Sequence, residues 1–192
     1  MDERSNFDVT SNDLNARLDT WIWASHRLNK IENAITFVPF IQMLGVYDKQ
    51  LIEFDRIIIQ PNFSGSLSDH FEFSRLWIFG CYEITRAIYD RCRRKKPKNK
   101  PQFLNYPKCS SDELDSEVLE TKNYIGRLRM PLAKFEAAWG HESDLSDPPY
   151  YIVSNVGAGW ILSHKDAISR RQISDKFLTL LLKISDNNFL EK

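Results

Sequence analysis

The chain lacks a net charge, a cysteine pair and a long apolar run, and each absence closes off a class of protein. Among its 192 residues, 26 Lys and Arg balance 26 Asp and Glu. No overall field draws such a chain to nucleic acid or an anionic membrane, so any contact of that kind has to come from a local patch. Cys81, Cys92 and Cys109 are odd in number and none stands in a Cys-x-x-Cys pair, which argues against a disulfide framework or zinc knuckle. The longest apolar-looking stretch, 35–47, has 13 residues and contains Pro39 and Gln42, whereas a membrane span takes about 20. The start, Met1 to Asn6, is polar and has no signal-peptide core. The expectation is a cytoplasmic protein with no membrane partner.

Signatures of chemistry are equally scarce. His26, His70, His141 and His164 show no His-x3-His spacing and pair with no cysteine at ligand spacing, so neither a metal nor a cofactor is expected. Gly157-Ala158-Gly159 lacks the third glycine and the following helix of a phosphate loop. No Gly-x-Ser-x-Gly elbow exists. Cys81 sits among bulky apolar residues, which would keep its thiol protonated and inert. No catalytic residue can be named, and the chain reads as a binding protein before an enzyme.

What is present is material for a core. Hydrophobic residues make up 42% and charged residues 27%, with 5 Trp and 12 Phe, a globular composition whose aromatics remove large areas from water. The fold class expected is mainly α: a single domain, 1–192, built as a helical bundle of about five helices with a small β-hairpin near the C-terminus. The bundle core covers 11–139, the hairpin 150–163 and the C-terminal helix 169–185.

Helical periodicity carries most of that expectation. Ser11 or Asn12 caps a first helix to about Ile35, with Trp23 opposite its apolar stripe, either covered by another element or exposed as a contact residue. Between Thr36 and Gln60, Pro39 and Gly45 break the pattern, leaving 47–59 as a short helix or as one ending in a strand at Ile57 to Ile59. Ser68-Asp69 caps a long helix to about Arg94, whose apolar residues, Leu76 among them, cover most of its circumference, as in the central helix of a bundle. Ser111 caps the next. There Leu114, Val118, Thr121, Ile125, Leu128, Leu132, Phe135 and Trp139 alternate spacings of four and three, with a kink expected at Pro131. Tyr150–Ser154 and Trp160–Ser163 flank the hairpin turn. Ser169 caps a last helix.

Three surfaces stand out. Residues 91–100 carry seven Lys or Arg and no acid; Arg93, Arg94, Lys95 and Lys96 form a candidate contact for RNA or another anionic partner, or a solvated loop. Around Pro131, Arg127, Arg129 and Lys134 form a second candidate anion- or RNA-binding cluster. On the long helix, Arg75, Glu83 and Arg86 share a polar stripe with Glu72 and Asp90, either a solvated ladder of ion pairs or a candidate polar groove.

The run Ser74-Arg75-Leu76-Trp77-Ile78-Phe79-Gly80-Cys81-Tyr82-Glu83-Ile84-Thr85-Arg86, followed by Arg129-Met130-Pro131-Leu132-Ala133-Lys134-Phe135-Glu136, resembles a pattern in uncharacterised bacterial helical proteins. Their arrangement is in turn similar to the HEPN superfamily, small helical bundles of prokaryotic toxin and defence systems that often act as RNases. The resemblance covers about residues 11–139. It implies a bacterial defence or stress setting and an RNA ligand. The family's active site, an Arg followed four to six residues later by His, has no counterpart here, and neutral-pH acid–base chemistry loses its usual group.

The function expected is therefore a non-catalytic binding or interaction module, using the heptad seam or Trp23 for self-association as a homodimer or for a protein partner. The alternatives are an RNA- or nucleotide-acting enzyme, with Arg127 and Arg129 on phosphate and Glu83 as base, and a structural adaptor subunit.

Overall fold

The structure, a computed structural model, describes residues 10–28, 37–93, 112–134, 149–154, 157–163 and 166–186. Among the described residues, five helices form: α1 Ser11–Leu28, α2 Val38–Ile58, α3 Leu67–Arg93, α4 Asp112–Lys134 and α5 Arg170–Asp186. Three strands, β1 Tyr150–Ser154, β2 Gly157–Ser163 and β3 Asp166–Ser169, separate α4 from α5.

Side chains set the helix starts. Thr10 Oγ1 accepts the Asp13 N–H at 3.2 Å while Asp13 accepts the Thr10 N–H at 2.8 Å. This reciprocal box caps α1 in place of Ser11 or Asn12. Ser66, not Ser68, accepts the Asp69 N–H and caps α3. Ser169 caps α5 as expected, exchanging bonds of 2.9 and 3.1 Å with Gln172.

The break expected between Thr36 and Gln60 is absent, because each supposed breaker has a place in a continuous α2. Pro39 stands in the first turn, where a missing N–H costs nothing. Gly45 faces Trp21, and a Cβ there would lie 2.6 Å from the Trp21 Cβ. The glycine lets α1 and α2 approach, and Trp77 donates its indole N–H to the neighbouring Leu44 carbonyl at 3.0 Å. No strand forms at Ile57 to Ile59, which end the helix.

The α4 seam faces inward. Leu114, Val118, Thr121, Ile125, Leu128 and Leu132 are all buried, and Pro131 lies within the helix. The described part of the seam, Leu114 to Leu132, is thus filled by its own chain. Phe135, Trp139 and the Ser111 cap lie outside the described residues.

The hairpin gains a strand. β1, β2 and β3 make an antiparallel sheet in that order, with Tyr151 opposite Trp160 and Trp160 opposite Ile168. Gly157 opens β2 at φ 102°, a conformation that suits glycine. The sheet lays Trp160 against the helices, and one core joins it to Trp21, Trp77 and Phe177. Trp21 meets Trp77 edge-on at 6.5 Å. Leu76, expected in that core, points to solvent instead, 60% exposed. Trp23 is exposed as well, with the Arg27 guanidinium 4.6 Å above its ring. Among the described residues, no helix is long and apolar enough to cross a membrane.

Candidate functional site

Among the described residues two arrays of charge stand out, one inside the protein and one outside. The interior array begins in the stripe Ile41, Leu44, Asp48, Leu51, Ile52, Asp55 of α2, whose spacing drives two carboxylates into the core, where both are buried. A carboxylate taken out of water needs cationic partners. Arg170, buried at the start of α5, binds Asp55 through one guanidinium nitrogen and reaches Asp48 at 3.4 Å through another. Arg17 of α1 closes the other side, 2.7 Å from Asp48 and 2.7 Å from Asp175, and donates to Ser174 at 2.5 Å. Burial alone would raise the Asp48 pKa. The charges of Arg17 and Arg170, with hydrogen bonds from Arg17 and Ser174, outweigh it and hold the carboxyl below its ordinary value.

The array continues to an imidazole and a phenol. His70 Nε2 stands 3.1 Å from Asp55 Oδ1, and His70 Nδ1 contacts the Tyr151 hydroxyl. Phenol, imidazole and carboxylate in line have the order of a proton relay. Burial, however, pushes the Tyr151 phenol up to about 12, Asp55 adding to the shift and Ser74 and Arg170 offsetting part of it. The hydroxyl stays protonated near neutral pH. His70 has no exposed surface. The Phe54 ring packs on it at 4.7 Å and stands between it and a hollow of about 460 Å³ lined by Gln50, Glu53, Ile57, Asp69 and Phe73. The imidazole itself does not line that hollow. The array is a tie between α1, α2, α3, α5 and β1.

The exterior charge lies on α3 and α4. Arg75 pairs with Glu72 at 2.7 Å, and Arg86 with Glu83 at 2.8 Å and Asp90 at 3.0 Å. Arg129 reaches across from α4 to Glu83 at 3.4 Å. The structure therefore brings Arg75, Glu83, Arg86 and Arg129 onto one outward face. Arg127 takes the other flank of α4 and pairs with Asp166 of β3. Lys134, two turns beyond it, is exposed.

Tyrosines, which the charge pattern did not single out, interleave with these cations. Arg129 lies 5.2 Å from the Tyr82 ring, Lys122 4.7 Å from Tyr89, and Lys176 5.5 Å from Tyr124. Tyr82, Lys122, Asn123, Tyr124, Arg127 and Met130 are among the residues lining an open cleft of about 710 Å³ over the outer side of α4. Their signal in the sequence was the recurrence of Tyr beside Lys or Arg on neighbouring helices, visible only once α3 and α4 are laid side by side.

Arg94, Lys95 and Lys96 lie outside the described residues, as does the side chain of Arg93. Among the described residues, no group of three His, Cys, Asp or Glu is placed to hold a metal ion. Cys81 is buried, and burial pushes its thiol well above the usual range, Asp48 adding to the shift and Arg170 opposing it. Compared with family models, curated proteins and solved structures, the chain matches none of them.

Proposed function

We propose that the chain is a non-catalytic helical binding module whose outward α4 face takes single-stranded RNA. One observation carries the reading: Tyr82 and Tyr124, each beside a cation, line the cleft that also holds Arg127, and Lys122 of the same lining lies beside the Tyr89 ring. Rings on which bases stack, between cations that meet phosphates, are the means by which proteins hold single strands without reading sequence. An RNA ligand and a bacterial defence or stress setting are also what the resemblance to the HEPN superfamily implies. Glu83, the candidate base of an RNase, is engaged by Arg86 and Arg129, and the His70 imidazole is buried. Binding therefore accounts for the surface better than cleavage.

The cations are not idle. Arg127 pairs with Asp166 and Lys176 with Glu120, so incoming phosphates displace carboxylates and affinity is moderate and salt-dependent. Fluorescence anisotropy with a labelled single strand of about 12 nucleotides tests this. Engagement of about three phosphates gives a slope of roughly −2 in log K against log salt. The Arg127→Ala/Arg129→Ala variant is expected to bind at least about five-fold more weakly. Unchanged affinity in that variant, or no binding by the wild type at low salt, would end the proposal. Shortened RNA in the same tubes would replace it with the enzyme reading.

A further inference from the structure

The outward face of α3 carries a knob, a hollow and a reversible charge pattern. Helical spacing sets Glu72, Leu76, Phe79, Glu83 and Arg86 on one side of the helix. Leu76 is the knob, an apolar side chain 60% exposed. The hollow lies about a turn and a half further along, toward α2. It holds about 340 Å³, lined by Phe37, Phe40, Met43, Gly80, Glu83 and Ile84. Phe40 and Met43 are 55% and 41% exposed at its rim. Solvated apolar side chains grouped this way on a soluble domain mark a contact surface.

The charges say what the surface contacts. Residues 72 and 86 have the same midpoint as residues 75 and 83, and that midpoint is Phe79. Laid antiparallel on itself about Phe79, α3 sets Glu72 opposite Arg86 and Arg75 opposite Glu83, and each pair recurs on the other side of the axis. The same reversal sets Leu76 at the level of residue 82, beside the hollow between Gly80 and Ile84. Charge pairs and a knob and hollow that match under a two-fold rotation are the marks of an isologous interface.

We infer that the partner of this face is a second copy of the chain, with the two α3 helices antiparallel about Phe79 and each Leu76 seated in the hollow of the other. Self-association then uses α3 and α2, and leaves the inward α4 seam to the core. Both α4 helices fall on the same side of the pair, because the axis runs perpendicular to the plane holding the two α3 axes. The inference touches the RNA reading only at Glu83, which Arg129 also engages, and none of its contacts needs Arg127, Lys122 or Tyr124.

Charge reversal tests the register. Glu72→Arg alone sets two Arg–Arg contacts across the axis, and Arg86→Glu alone sets two Glu–Glu contacts. Mixed, the two variants regain opposite charges at both positions. Glu72 and Arg86 are about half exposed, so neither change threatens the fold, and circular dichroism checks this. Light scattering on the full chain is expected to show a wild-type dimer. Each variant alone should dissociate with a Kd at least about ten-fold higher, and an equimolar mixture should return to the dimer. Leu76→Asp should remain monomeric in every mixture. A monomeric wild type at about 200 μM, a concentration at which an interface of standard size would be filled, overturns the inference. So does a dimer that survives either single variant, or a mixture that stays monomeric.

Discussion

The buried array around Arg170 and the ladder on α3 contain the same chemical groups, yet they do opposite work. Inside, Asp48, Asp55 and Arg170 have surrendered their water, so each depends on the others. Outside, Glu72, Glu83, Arg86 and Asp90 keep much of their hydration, and their pairs are exchangeable. A buried pair is costly to make and costlier to break. An exposed pair is nearly neutral in stability, which leaves it available to a partner. The difference separates a group of charges that holds the fold from one that is left available to a partner.

Removing Arg170 should produce the largest effect. Arg170→Met keeps the bulk of the side chain but leaves Asp48 facing Arg17 alone and Asp55 without its guanidinium. The expected loss is about 3–5 kcal/mol, read as a shift in the urea midpoint with little change in slope. A loss below about 1 kcal/mol would mean that the interior is wetter than its geometry shows, and the two regions would no longer differ in kind.

Acid should sharpen the same contrast. Asp48 is held below its ordinary value of 3.8 in the folded chain. The unfolded chain therefore takes up its proton first as pH falls, and folding becomes less favourable. The stability that Asp48 contributes is present above about pH 4 and is lost as pH drops through the lower folded value. Melting temperature is expected to fall across that window, and more steeply in the wild type than in Asp48→Asn. Equal pH profiles for the two proteins would assign acid sensitivity to other carboxylates.

Much of the fold was legible because apolar spacing and caps are local. The described part of the α4 seam and the Ser169 cap lie where the sequence places them, and so do the helical bundle and the hairpin of β1 and β2. The breaks anticipated in α2 were not, since Pro39 and Gly45 take their meaning from a first turn and from Trp21, and only the second of these is distant in sequence. β3 was missed because Asp166 to Ser169 is only four residues long, too short to show alternation. Arg127 and Arg129 stood out by charge. Their tyrosine neighbours did not, because Tyr82 and Tyr89 come from another helix. The interior array left one readable sign: Asp48 and Asp55 occupy apolar-stripe positions seven residues apart, where an acid requires a partner. Nothing local named Arg170 as that partner, 115 residues from Asp55.

The smallest stability effect belongs to Arg86, and it separates the two kinds of charge within one residue. Its side chain is 47% exposed and pairs with Glu83 and Asp90. Arg86→Ala should cost roughly 0.3–0.5 kcal/mol at low salt, shrinking toward zero as salt screens the pairs. Urea unfolding must be followed at low protein concentration, where the chain is monomeric, because dimerisation would add its own stabilisation. At high concentration the same substitution removes the cation expected opposite Glu72 of the second copy, and dissociation should rise several-fold. Little change in fold stability with a marked change in association is the signature of a charge kept for recognition. A stability loss as large as that of Arg170→Met would instead place Arg86 with the interior array.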